Sequence, residues 1–257
     1  MWEWFFGDFN SISIAMLMLS AVLIGINKTG IPGIGLLPVI ILVSVFPAKA
    51  STGIQLMMLG AADIMAVIYY RRHADWSIVL RLLPWALAGI GIGSLTMRFI
   101  DDSWMRPLLA GIILFMVIFG RVSKYICSNI DLTKYRGYSA GFGLAAGFTT
   151  QVANAAGPVM ALYLLSMKLD KNKYMGSAAW YFLILNWIKI PIFVYEGRIT
   201  AEALRADLAM VPFLLIGGFL GIVLLKKLSQ TLFERIVEIL VIVAAVQMLI
   251  PKSWMPF

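Results

Sequence analysis

Ten apolar runs occupy most of the chain, with edges near 12–26, 32–46, 53–70, 79–98, 105–121, 138–149, 155–167, 175–195, 207–225 and 231–250. A helix that crosses bilayer hydrocarbon needs roughly 17–25 residues, and the third, fourth, fifth, eighth, ninth and tenth runs reach that length. Charged residues are only 13% of the sequence and hydrophobic ones 61%, where soluble domains carry roughly 25% charged residues. So few polar groups cannot cover a water-exposed surface. The chain is therefore read as an all-α integral membrane protein whose main partner is the lipid bilayer.

The four short runs come in two adjacent pairs, each joined by a polar, Gly/Pro-containing break. The first break is Asn27-Lys28-Thr29-Gly30-Ile31-Pro32-Gly33, and the second runs from Thr149 to Pro158. Each pair reads as a re-entrant hairpin of half-helices. Three long helices follow each hairpin, which divides the chain into a first membrane repeat over 1–122, a connection over 123–136 and a second repeat over 137–257. Gly25 and Gly35 fall opposite Gly147 and Gly157, Gly53 and Asp63 opposite Gly176 and Asn186, and Pro84, Gly89 and Gly93 opposite Pro212, Gly217 and Gly221. With three crossings per repeat, the two repeats lie inverted and their hairpin tips can meet.

Basic residues set the orientation. The connections at 71–77, 121–136, 168–174 and 226–230 hold Arg71, Arg72, Arg121, Lys124, Lys134, Arg136, Lys168, Lys171, Lys173, Lys226 and Lys227, eleven of the 21 lysines and arginines. The opposite set holds six: Lys49, Arg98, Arg106, Arg198, Arg205 and Lys252. The bias makes the 123–136 connection cytoplasmic and both termini extracytoplasmic, in an inner membrane. Basic cytoplasmic loops also account for the net charge of +8, so no nucleic-acid partner is expected.

With one cysteine (Cys127) and one histidine (His73), the sequence offers no metal cluster, and no cofactor is expected. No HExxH, GxSxG, P-loop or CxxC motif appears, so the chain is not read as an enzyme.

Ionisable side chains inside the membrane cost about 2.5–3.5 kcal/mol each at a helix centre and call for a partner or a function. Lys28 lies in the first break between Asn27 and Thr29. Asp63 sits midway along the third run, and Lys189 lies three residues after Asn186 in the eighth. Glu238 is read as a partner for Arg235. Pro32 suits the first position of a helix, so the backbone N–H groups near Gly30 and Gly33 point where the Lys28 ammonium points. The stretch Ala153 to Gly157 offers a second helix N-terminus, flanked by Gln151 and Asn154. Two positive helix ends and a lysine describe an anion site. Asp63 and Lys189 are readable two ways: as a structural pair, or as a coupling carboxylate and a substrate ligand.

The residues from Gly25 to Pro38, with their Lys-Thr-Gly-Ile-Pro-Gly-Ile-Gly run, resemble the glycine-rich first break of the sulfite exporter TauE/SafE family, also called the toluene sulfonate uptake permease family. Gly147 to Pro158, the Asn186-x-x-Lys189-x-Pro191 run and Ser51 to Arg72 extend the likeness over about residues 12–250. One departure is Thr29, which stands where the family usually carries a glycine after the lysine. The resemblance implies transport of a small sulfur-containing anion, such as sulfite or an organosulfonate.

Together these features are read as a secondary transporter that binds its anion between the hairpin tips. The candidate ligands are Asn27, Lys28, Thr29, Gln151, Asn154, Asn186 and Lys189, with backbone donors at Gly30, Gly33 and Gly157. Asp63 is the candidate coupling group. An inside-negative membrane drives anions outward by about 2.3 kcal/mol per charge per 100 mV, so import requires protons or sodium as coupling ion. Direction stays open. An anion channel of the same architecture is the first alternative, and an integral-membrane enzyme or maturation factor the second.

Overall fold

Local capping begins four of the helices. Asn10 accepts from the Ser13 amide at 2.8 Å, Asp75 from Ser77 at 3.1 Å, Asp170 from Asn172 and Lys173 at 3.1 Å each, and Thr200 from Ala203 at 3.1 Å. Each side chain satisfies a donor that the first helical turn cannot. The Ser77 hydroxyl beside Asp75 also holds that carboxyl below its usual range. The computed structural model describes residues 9–97, 99 and 135–249.

Nine helices lie among the described residues, with no strand. They are α1 (Ser11–Thr29), α2 (Leu36–Val45), α3 (Ala48–Tyr70), α4 (Trp76–Thr96), α5 (Arg136–Ala153), α6 (Gly157–Ser166), α7 (Lys171–Tyr195), α8 (Ala201–Lys227) and α9 (Gln230–Leu249). Five of them, α1, α3, α4, α7 and α8, are long and apolar enough to cross a membrane. Large apolar side chains stand exposed along α8, among them Leu215, Ile216 and Phe219, as lipid contact requires. The expected helix at 105–121 and most of the 123–136 connection lie outside the described residues.

The broken pairs differ from the expected hairpins of two half-helices. Their first arms, α1 and α5, run 19 and 18 residues, and their second arms, α2 and α6, run 10 each. At 1.5 Å per residue that is about 27–28 Å against about 15 Å. Each pair is one long helix and one helix about half its length. The first arms outrun the apolar stretches because their polar ends find partners inside the protein. Thr29 Oγ1 donates to the Gly25 carbonyl at 3.0 Å and the Gly218 carbonyl at 2.7 Å. Thr149 Oγ1 donates to the Ala145 carbonyl at 2.8 Å. A polar residue satisfied in this way continues a membrane helix instead of ending it.

Glycine brings the helices together. A Cβ on Gly25 would lie 2.5 Å from the Leu214 carbonyl oxygen, and one on Gly217 would lie 2.1 Å from the Val22 carbonyl oxygen, so α1 and α8 pack backbone to backbone. The same holds for α4 and α5, where Gly147 meets Ala86 and Gly89 meets Leu144, at 2.0 and 2.3 Å from the respective carbonyl oxygens. Small residues at such seams let backbones approach where hydrocarbon provides no hydrophobic drive.

Two apolar cores result. One gathers Leu17, Ala21, Ile24, Met58, Met210 and Leu214 from α1, α3 and α8. The other gathers Val79, Leu82, Phe142, Val159, Tyr163 and Leu185 from α4 to α7. Helices α3 and α7 pack on each other between them. Leu36 at the start of α2 and Ala155 between α5 and α6 form a small cluster of their own, so the two breaks touch.

Candidate functional site

The breaks adopt different turns. After α1, the Gly30 and Ile31 amides both return to the Ile26 carbonyl, at 2.8 and 3.1 Å. Gly33 takes a left-handed φ of +112° and donates to Asn27 Oδ1 at 3.2 Å. Helix α2 therefore begins at Leu36 rather than at Pro32, because the glycines turn the chain for four further residues. After α5, Asn154 itself takes the left-handed cap at φ 53°, a conformation asparagine tolerates better than most residues. There α6 begins at Gly157, with Pro158 in its first turn.

Between the breaks and α7 lies a cavity. Asn27, Lys28, Gly33, Asn154, Gly157 and Asn186 line it, together with Thr150, Leu59, Met160, Tyr174, Met175 and Phe182. Lys28 is 7% exposed. Its Nζ lies 2.6 Å from Asp63 Oδ1 and 4.2 Å from the centre of the Phe182 ring. Asn186 Nδ2 donates to Asp63 Oδ2 at 2.6 Å. Lys189 is fully buried behind this surface and donates to Asn154 Oδ1 at 2.6 Å, Thr150 Oγ1 at 2.9 Å and Asn186 Oδ1 at 3.3 Å.

The ion-pair partner of Asp63 is thus Lys28, not Lys189. The last turn of α1 reaches α3, and Asn186 stands between the carboxylate and Lys189. Lys28 is paired with the carboxylate, while Lys189 is met by the oxygens of Thr150, Asn154 and Asn186 and by the Phe193 ring, 5.3 Å to its centre.

Six of the residues singled out from sequence meet at the cavity: Asn27, Lys28, Asn154, Asn186, Gly33 and Gly157. Asp63 and Lys189 stand one bond behind it. Three others face elsewhere. Thr29 bonds the α8 backbone. Gly30 packs on Gly221, where a Cβ would lie 2.3 Å from the carbonyl oxygen. Gln151 donates to Ser94 Oγ at 2.8 Å and Glu196 Oε1 at 3.3 Å. Of the backbone donors expected near Lys28, those of Ile31 and Gly33 are taken by Ile26 and Asn27.

Sequence reasoning missed Thr150 and Phe182, which carry no signal apart from their neighbours. It also missed Asp207, buried in α8, whose carboxyl oxygens have no hydrogen-bond partner among the described residues. Arg198, counted above as a loop charge, is 2% exposed. Its nearness to Glu196 in the chain was the available hint.

Membrane-length helices closed around buried charges at two chain breaks define a multi-pass membrane protein. The model of the sulfite exporter TauE/SafE family matches residues 17–248, nearly the whole chain. The protein belongs to that family. No curated protein and no solved structure matches it.

Proposed function

We propose that the protein is a secondary transporter of a small sulfur-containing anion, sulfite or an organosulfonate, bound at the polar end of the cavity. The observation that carries this reading is the charge count among the described residues: Lys28 and Lys189 against Asp63, all three buried near the point where the breaks touch. An anion there completes the neutralisation of a site already removed from water. Lys28, Asn154 and Asn186 contact the substrate, Asn27 holds the turn beside it, and Lys189 supports it from behind through Asn154 and Asn186.

Asp63 couples transport to a proton. Because Asp63 occupies the Lys28 ammonium, an anion gains full use of that ammonium when Asp63 is protonated. A carrier that must exchange one acid for the other on a single lysine moves anion and proton together.

The reading includes two inverted repeats. In support, α1 meets α8 at Gly25 and Gly217 as α5 meets α4 at Gly147 and Gly89, which are the same paired positions with the repeats exchanged. The basic bias of the connections supports extracytoplasmic termini and an inner-membrane location. With Cys127 replaced by serine, an impermeant thiol reagent on intact cells is expected to label Ser253→Cys and spare Ser128→Cys. The reverse pattern would invert the topology.

Function is tested with purified protein in liposomes loaded with sulfite or an organosulfonate. A carrier gives saturable uptake that unlabelled substrate on the opposite side stimulates; single-channel conductance would support a channel instead. Asp63→Asn is expected to exchange substrate with no pH dependence and without net driven accumulation. A variant that keeps the wild-type pH profile rules Asp63 out as the coupling group.

A further inference from the structure

The cavity is one-sided along α7. Tyr174, Met175, Ala178, Ala179, Phe182 and Asn186 line it, a rise of about 18 Å from near the N-terminus of α7 to its middle. Beyond Asn186, towards the C-terminus of α7, polar groups pack on one another. Past Lys189 they form a knot centred on Arg198. Arg198 Nε lies 2.7 Å from Glu196 Oε2, Nη1 donates to the Gln151 carbonyl at 3.2 Å, and the guanidinium stands 4.4 Å over the Phe193 ring.

Gln151 extends the knot to Ser94 and back to Glu196. Gly53 closes against the Arg198 carbonyl oxygen, where a Cβ would sit 1.9 Å away. Five elements are tied at this point: α3, α4, α5, the end of α7 and the α7–α8 connection. At the other end of α7 the Asp75 amide donates to Ser177 Oγ at 2.9 Å, and Lys171 Nζ donates to the Leu225 carbonyl at 2.9 Å.

A buried ion pair suits a seal that has to open. The attraction within the pair is largely offset by the lost hydration of both ions, so parting them into water together costs little, whereas removing one leaves the other stranded. An apolar plug has no such balance.

We infer that Arg198, Glu196, Gln151 and Ser94 form the gate on the α7 C-terminal side of the transport path, and that the structure is the state closed there and accessible from the α7 N-terminal side. The inference rests on the transporter reading. Its test reads access rather than flux, so the two can fail separately.

In a Cys127→Ser background, Ala178→Cys reports from the cavity wall and Asn172→Cys marks the α7 N-terminal face. An impermeant thiol reagent is applied to right-side-out cells and to inverted vesicles. Ala178→Cys is expected to label from the side that labels Asn172→Cys, and slowly from the other. Adding Glu196→Gln strands Arg198 and is expected to raise labelling from the far side about tenfold or more. Ser94→Ala, which removes only an acceptor of Gln151, gives a smaller rise and serves if Glu196→Gln fails to fold. Arg198→Met with Glu196→Met keeps the far side protected and abolishes transport.

Equal labelling of Ala178→Cys from both sides with the knot intact overturns the gate, as does unchanged far-side labelling in both Glu196→Gln and Ser94→Ala. Asymmetric labelling that responds to Glu196→Gln, in a protein that moves neither sulfite nor sulfonate, keeps the gate and removes the substrate assignment.

Discussion

The two breaks reach one cavity by different means. The first spends six residues between α1 and α2 and turns on Gly33, while the second spends three between α5 and α6 and turns on Asn154. The first brings its own charge, Lys28, and meets Asp63 across the bundle. The second brings none. Thr150 and Asn154 offer oxygens, and Lys189 of α7 supplies the ammonium. One tip is thus a neutralised ion pair and the other a cation held by neutral groups. Similar chain breaks therefore carry opposite electrostatic liabilities: loss of Lys28 strands a carboxylate, whereas loss of Lys189 strands only neutral acceptors.

The largest expected effect follows from that difference. Lys28→Ala leaves Asp63 buried with Asn186 as its remaining hydrogen-bond partner among the described residues and should cost about 3–5 kcal/mol of stability, along with transport. Adding Asp63→Asn should restore thermal stability in detergent without restoring transport. If the double variant melts as low as Lys28→Ala, the pair is not what Lys28 stabilises.

Lys189→Met removes a charge from among Thr150, Asn154 and Asn186. Binding of sulfite or an organosulfonate, followed calorimetrically, should weaken about tenfold or more, equivalent to roughly 1.4 kcal/mol. The fall in melting temperature should be smaller than for Lys28→Ala. A larger fall would make Lys189 the structural lysine of the two and reverse the contrast between the tips.

The smallest pair sharpens the backbone side of the comparison. Gly33→Ala forces an L residue to φ +112° with its Cβ 2.8 Å from the Leu240 Cβ, and should cost about 1–3 kcal/mol. Gly157→Ala meets nothing within 4 Å and should stay within about 0.5 kcal/mol. Equal melting temperatures for the two would show that the first break does not depend on its left-handed glycine.

Much of this molecule was legible in its residues. The apolar runs locate the helices, and Asn10, Asp75, Asp170 and Thr200 mark starts that local hydrogen bonding produces. Both breaks were visible as Gly, Pro and polar clusters. Less visible was how far α1 and α5 run into those clusters, because Asn27, Lys28, Thr29 and Gln151 read as loop residues until their partners are known. Lys28, Asp63 and Lys189 stood out individually, since a charge in an apolar run is conspicuous wherever it points.

What the sequence by itself determined is the membrane solvent, the helical class and the short list of residues able to hold an anion, because these depend on composition and on spacing within one segment. Only the tertiary structure decided which listed groups meet. Asp63 pairs with Lys28 on α1 rather than with Lys189 on α7. Asn154 and Asn186 face the cavity while Thr29 and Gln151 face α8 and α4. Arg198, an ordinary loop charge in the sequence, is buried with Glu196. The reason is geometric. A side chain's direction depends on the rotation of its whole helix, and that rotation is set where Gly25, Gly147, Gly89 and Gly217 bring distant backbones into contact.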